Sequence, residues 1–267
     1  MLKRNSFRQK IKRPVSKTSW NPVADWYIDH LKEGGEFQRT IIFPGAIRLL
    51  EPKPRGTYLD IACGEGAFIR LAAKTHPQAT FTGIDASPIL VQHAQSQILK
   101  GMRFTIADAT NFAHFFPPQT FDGATCLMAI QNIEQIEAVF RDAARVLKPG
   151  GSLVLVMNHP CFRQPRQSGW GWDEQRKLQY RRVDRYLSPY EMPILAHPGS
   201  APDVKTTSFH RSLTAYVEAL AKHGFAITAL EEWTSHKQSD SGPRAKAENV
   251  ARQEIPLFLA MRVEREA

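Results

Sequence analysis

Asp60-Ile61-Ala62-Cys63-Gly64-Glu65-Gly66 stands between two contrasting patterns. Before it, Tyr58 to Ala62 is a short, largely apolar run of the kind that makes a buried strand. After it, Phe68, Leu71 and Ala72 recur at helical spacing. The glycines between allow a tight turn and let a ligand come close to the backbone. The start of the following helix, with its exposed N–H groups, favours a ligand carboxylate or phosphate.

The same alternation continues on both sides. Thr80-Phe81-Thr82-Gly83-Ile84-Asp85 reads as a second strand, and Ser87-Pro88 as the N-cap and first residue of the next helix. Met102 to Ala107 reads as a third strand, Phe121 to Met128 as a fourth and Ser152 to Met157 as a fifth. A helix over Ile133 to Leu147 is stopped by Lys148-Pro149-Gly150-Gly151. This order predicts βαβ units, right-handed crossovers and a parallel sheet. Leu213, Tyr216, Val217, Leu220 and Ala221 predict another helix ending at Gly224, and Phe225 to Trp233 and Leu257 to Val263 two final strands. Upstream, Trp20 to Tyr27 reads as an aromatic helix, and Ile41 to Leu50 as an apolar segment that Pro44-Gly45 breaks or restarts. No internal repeat is present.

Charge narrows the ligand. A dinucleotide fingerprint needs a third glycine where Ile69 stands. Asp60, immediately before the turn, would repel a pyrophosphate but attract an ammonium, which disfavours an NAD(P) oxidoreductase. Asp85, at the end of a strand, can accept both hydroxyls of a ribose. The plainer reading of each acid is a helix cap or turn residue.

Five segments together resemble the class I S-adenosylmethionine-dependent methyltransferases, in particular the small-molecule type 11 group related to the ubiquinone/menaquinone methyltransferases. They are Leu59 to Gly66, Gly83-Ile84-Asp85-Ala86-Ser87, Ala107-Asp108-Ala109, Phe121-Asp122, and Val146 to Gly151. The resemblance covers about residues 55–160, with weaker support to 233 and from 256 to 263. It implies an α/β, Rossmann-like, doubly wound sheet of seven strands, mostly parallel with the last strand antiparallel, and helices on both faces. It implies S-adenosylmethionine as cofactor. Ala62, Cys63, Gly64 and Gly66 would pass under the methionine part, with Ala62 where the family more usually has glycine. Asp60 would orient the turn and the amino group. Asp85 would bind the ribose, Ala86 would lie against the adenine, and Asp108 and Ala109 would meet the adenine edge. Met128 and Ala129 would face the sulfonium. Asp122 matches a family position but reads as structural. Gln131-Asn132 stand where relatives often carry histidines.

Three segments are expected on the acceptor side. The N-terminal aromatic helix offers Trp26 and Tyr27. An insert at about residues 159–207 reads as an irregular lid. It opens with His159, the candidate general base near neutral pH, and Arg163, then mixes Trp and Tyr with arginines. From Arg163 to Arg185 seven basic residues face Asp173, Glu174 and Asp184, for a balance of +4. A flat or anionic acceptor suits that mixture, as does an ordinary amphipathic lid. A long link at about 234–255 carries His236, and His210-Arg211 precedes the last helix and is expected near the same pocket. Gln131, Arg163, His210 and His236 join Trp26 and Tyr27 as acceptor-contact candidates. The expected reaction is in-line methyl transfer to an oxygen, nitrogen or carbon of a small molecule.

Bulk properties bound the alternatives. The chain has 267 residues and a formal charge of +9, of which +7 comes from seven Lys and Arg in residues 1–17. The expected organisation is a basic flexible tail (1–18), a helical cap (19–54) and a methyltransferase domain (55–267). The tail raises one rival, an RNA or tRNA methyltransferase. A second rival is an S-adenosylmethionine-binding protein without catalysis. Nucleic acid is not expected as a partner. Cys63, Cys126 and Cys161 are too few and scattered for a disulfide framework or zinc site, so no metal is expected and a reducing cytoplasm is. No apolar run approaches a membrane span, and the N-terminus lacks the pattern of a secretory signal. Monomer and homodimer both stay open.

Overall fold

The computed structural model describes residues 20–24, 28, 36–195 and 205–266. The basic tail, Trp26 and Tyr27 lie outside the described residues. The central sheet has seven strands in the order β3-β2-β1-β4-β5-β11-β10. These are β1 (Thr57–Ile61), β2 (Thr80–Asp85), β3 (Met102–Ile106), β4 (Phe121–Leu127), β5 (Leu147–Asn158), β10 (Phe225–Trp233) and β11 (Phe258–Arg265). The first five pair in parallel, and β11 runs antiparallel to both neighbours, β5 and β10. Strand order reverses between β1 and β4, where an open α/β sheet leaves a crevice outside its carboxyl ends.

Period-two alternation divides the core between the two faces. Leu153, Leu155 and Met157 of β5 pack with Leu59 and Ile61 beneath α4 (Ile136–Val146) and α5 (Leu213–Lys222). Val154 and Val156 point the other way. They pack with Tyr58 and Phe258 against α1 (Phe43–Leu50), α2 (Ala67–Thr75) and α3 (Pro88–Ser96). α1 starts beside Pro44, which needs no N–H there. Ala24 and Ile28 pack on Leu90 of α3, and the Ser87 hydroxyl, which caps α3, donates to Asn21 Oδ1 at 2.6 Å.

Two segments depart from the sequence expectation. The insert is not irregular but holds two antiparallel pairs, β6 (Ser168–Asp173) with β7 (Leu178–Val183) and β8 (Tyr190–Leu195) with β9 (Lys205–His210). Each pair is two-stranded, so both faces of β6 and β7 stay partly exposed and no apolar alternation marks them. Pro193 is tolerated because every such strand is an edge. The link at 234–255 contains a helix, α6 (Ala245–Glu254), with Ala251 as its one buried residue. α6 and the first hairpin meet through Arg244, which stacks 4.6 Å from the Trp172 ring and pairs with Glu174 at 2.8 Å. β5 also starts earlier than read, because Leu147 pairs with Phe121 before the register shifts past the Pro149-Gly150 turn.

Candidate functional site

At the carboxyl end of β1 the chain takes the left-handed conformation three times within five residues, at Ala62 (φ 58°), Gly64 (φ 56°) and Gly66 (φ 82°). Three of the turn's N–H groups are used internally. Cys63 N–H donates to Ile84 O at 2.9 Å, Gly64 N–H to Asp85 Oδ2 at 2.9 Å, and Gly66 N–H to Cys63 O at 3.1 Å. No side chain caps the start of α2, so the first N–H groups of that helix stand outside this set of bonds. Gly66 caps α2, and a Cβ there would come within 2.8 Å of the Phe104 ring.

The acids make this end of the sheet negative. Asp60 is 4% exposed and accepts from Thr125 Oγ1 at 2.6 Å. Burial pushes its carboxyl up to about 7, the Asp85 charge adds to that, and the Thr125 hydrogen bond opposes it. Burial also raises Asp85, against the N–H bonds it accepts from Ser87 and Gly64. The Cys63 thiol is raised by burial and by both carboxylates, so it stays protonated and packs as a small apolar group. Asp122 instead ties β1 to β4. It accepts from Thr57 N–H at 2.8 Å and from Lys148 Nζ at 2.5 Å.

Three adjoining cavities collect ten of the eleven residues expected around the cofactor. A cavity of about 240 Å³ is lined by Ala62, Asp85, Ala86, Asp108, Ala109 and Ala129. One of about 40 Å³ is lined by Asp60, Ala62, Cys63, Gly64 and Met128, and one of about 70 Å³ joins Ala62, Gly64, Asp85, Met128 and Ala129. Gly66 lies behind them in the packing of α2. Met128, like Ala62, has a positive φ (57°), which turns the chain at the end of β4. Asp108 Oδ1 accepts from the Thr110 N–H and hydroxyl, both at 2.8 Å. Sequence reasoning missed Thr110, Asn132 and Ile133 as walls of the cavity of about 240 Å³. Their position just beyond Asp108 and Met128 was the available signal.

On the acceptor side, Gln131, His159, Arg163 and His210 line a separate cavity of about 30 Å³ with Asn158, Tyr190 and Arg211. His159 has both ring nitrogens engaged. Nδ1 accepts from the Cys161 and Phe162 N–H groups at 3.2 and 3.3 Å, so Nε2 carries the proton it donates to Glu232 at 2.8 Å. Burial lowers its pKa, with Glu232 opposing. His210 donates from Nε2 to Tyr186 O at 2.6 Å and stacks on Tyr190. His236 is not in this cavity. It pairs with Glu36 at 2.9 Å and meets Phe37 edge-on, joining the long link to the segment before α1. Among the described residues no group of His, Cys, Asp or Glu could hold a metal ion, and no helix is long and apolar enough to cross a membrane.

Residues 59–151 match the family described as a methyltransferase domain. A demethylmenaquinone methyltransferase of Tropheryma whipplei is 39% identical over 103 residues, 38% of this chain and 42% of the relative. A 2-phytyl-1,4-naphtoquinone methyltransferase of Thermosynechococcus vestitus is 33% identical over 119 residues, 43% of this chain and 52% of the relative. The chain thus spans about half the length of the curated relatives it matches. Among solved structures, an S-adenosylmethionine-dependent methyltransferase from Mesorhizobium loti superposes with a TM-score of 0.64 at 27% identity, covering 83% of this chain and 96% of that one.

Proposed function

We propose that this chain, whose residues 59–151 form a methyltransferase domain of the class I S-adenosylmethionine-dependent kind, transfers the methyl group of S-adenosylmethionine to a small-molecule acceptor. The observation that carries this reading is the acid-lined turn. Asp60 and Asp85 flank a backbone bend in which the Cys63, Gly64 and Gly66 N–H groups are already used, so the bend favours a positively charged ligand over a diphosphate.

The residues present suit the cofactor. Asp60 and the Ala62–Gly64 backbone would hold the methionine part. Each Asp85 oxygen keeps a lone pair for the ribose beside its N–H bond. Ala86, Ala109 and Ala129 leave room for a flat base between Asp108 and Ile133. Bound there, S-adenosylmethionine supplies a methyl on a cationic sulfur: that carbon–sulfur bond breaks with its electron pair left on sulfur, the acceptor gains the methyl, and its proton passes to water. The protein's work is then alignment and exclusion of water. Met128 and Gln131 stand between the two sets of cavities, where acceptor and donor would meet.

The matched domain ends at Gly151, before both hairpins, so the match does not cover the acceptor side. The test is to incubate the protein with isotope-labelled S-adenosylmethionine and a metabolite extract. Label in a small molecule, lost with Asp85→Ala, supports the reading; label in RNA, or in nothing across varied extracts, contradicts it.

A further inference from the structure

The cavity at the carboxyl end of β5 concentrates polar atoms that the protein does not satisfy. Ten buried side-chain nitrogens and oxygens among the described residues lack a hydrogen-bond partner, and four belong to residues lining this cavity. They are Arg163 Nη1, Arg211 Nη1, Gln131 Oε1 and Asn158 Oδ1. Folded proteins leave few such atoms, and a cluster of them marks a place where something else is bound.

Each guanidinium group is held at one side and keeps its Nη1 without a hydrogen-bond partner, Arg211 also acting on the buried Tyr216 hydroxyl. Arg163 lies 4.8 Å over the Phe258 ring. Arg211 Nη2 donates to the carbonyls of Ile133 at 3.0 Å and Glu134 at 2.5 Å. Neither makes an ion pair among the described residues, and the charge that acts on Arg163 is another cation, Arg181. Burial and Arg181 both push the Arg163 guanidinium below its usual range. A buried cation with no anion facing it is unfavourable unless a ligand supplies the anion. Gln131 is anchored by its Nε2 donating to Met128 O at 2.8 Å, which turns Oε1 away as a free acceptor.

We propose that this cavity is the anion-reading subsite of the acceptor: Arg163 and Arg211 hold a carboxylate of the molecule to be methylated, while Gln131 and Asn158 accept hydrogen bonds from its O–H or N–H groups. This rests on the methyltransferase reading and adds the chemical class of the acceptor. The cavity, about 30 Å³, is small, so it takes a carboxylate-sized group rather than a whole molecule. Planar forks of two arginines match a planar carboxylate. Tyr190 and Phe209 in the same wall suit a flat body attached to it.

The test uses the full chain saturated with S-adenosylhomocysteine and three probes: benzoate, benzamide and inorganic phosphate, followed by ligand-observed NMR. Benzoate is expected to bind at least about tenfold more tightly than benzamide and phosphate, and Arg163→Gln and Arg211→Gln each to weaken it about tenfold. S-adenosylhomocysteine affinity should stay within about twofold in both variants, which separates an anion site from a general loss of structure. Equal binding of benzoate and benzamide, no benzoate binding, or benzoate binding untouched by both substitutions would overturn the proposal. Phosphate binding more tightly through the same arginines would overturn the carboxylate assignment. Failure of S-adenosylhomocysteine itself to bind would count against the methyltransferase reading instead.

Discussion

The Gly64 backbone N–H donates to the Asp85 carboxylate at 2.9 Å, so the turn after β1 and the acid ending β2 are one unit. The other Asp85 oxygen accepts from Ser87 N–H at 2.8 Å, which fixes the start of α3 to the same carboxylate. Removing Asp85 therefore loosens both walls of the groove at once. Asp85→Ala should weaken S-adenosylhomocysteine binding about ten- to a hundredfold, the range of a lost charge-assisted hydrogen bond. Asp122→Ala should cost about 1–2 kcal/mol of folding stability through Thr57 and Lys148, and leave affinity within about threefold. Calorimetric titration and urea unfolding of both variants make the comparison; equal losses of affinity would contradict the ribose assignment.

Asp60 gives the site a pH dependence of known sign. Its carboxyl is raised from 3.8 to about 7, so the buried neutral form contributes stability that is fully present below the unfolded value and lost as pH rises through about 7. A ligand ammonium favours the ionised form. Affinity for S-adenosylhomocysteine should rise between pH 6 and 8, with proton release on binding at the lower pH, while ligand-free thermal stability falls from about pH 4 to about 7 and then levels off. Asp60→Asn should flatten both profiles, and a profile unchanged by that substitution would show another group responsible.

Ala62 and Gly66 make opposite predictions. Ala62 holds a left-handed backbone (φ 58°) at a cost glycine would not bear. Against the greater unfolded-chain freedom of glycine, Ala62→Gly should still gain about 0.5–1 kcal/mol. Gly66→Ala should lose more than about 1 kcal/mol, because its φ is 82° and the new Cβ would meet the Phe104 ring at 2.8 Å. Chemical unfolding of the two single variants reads both signs.

His159 is better placed to hold the chain than to take a proton. Its free lone pair, on Nδ1, already accepts from the Cys161 and Phe162 N–H groups, and its N–H is spent on Glu232. His159→Gln should lower the melting temperature and leave the acidic limb of the kcat profile where it was. Disappearance of that limb with unchanged stability would restore the general-base role.

The sheet and its crevice were legible because each strand end carries local chemistry: glycines where φ is positive, Ser87 as a cap, Asp85 at a strand terminus. The apolar runs of β1, β4 and β5 are buried on both faces, and such strands announce themselves. The hairpins of the insert were not legible, because a two-stranded ribbon with half-exposed faces leaves no apolar alternation in Leu178 to Val183. α6 was hidden for the same reason, with Ala251 alone turned inward. Arg211 was legible only as the neighbour of His210; what anchors it, the carbonyls of Ile133 and Glu134, lies nearly eighty residues away. His236 was drawn toward the acceptor by its position after β10, yet Glu36 and Phe37 claim it.

Calorimetric titration of the full chain with S-adenosylhomocysteine and, separately, with NAD+ tests most directly whether the buried carboxylate beside the turn chooses the ligand. Roughly micromolar binding of the first, weakened by Asp60→Asn, and no heat from the second is the expected result. NAD+ binding that displaces S-adenosylhomocysteine, or binding of neither, would contradict it.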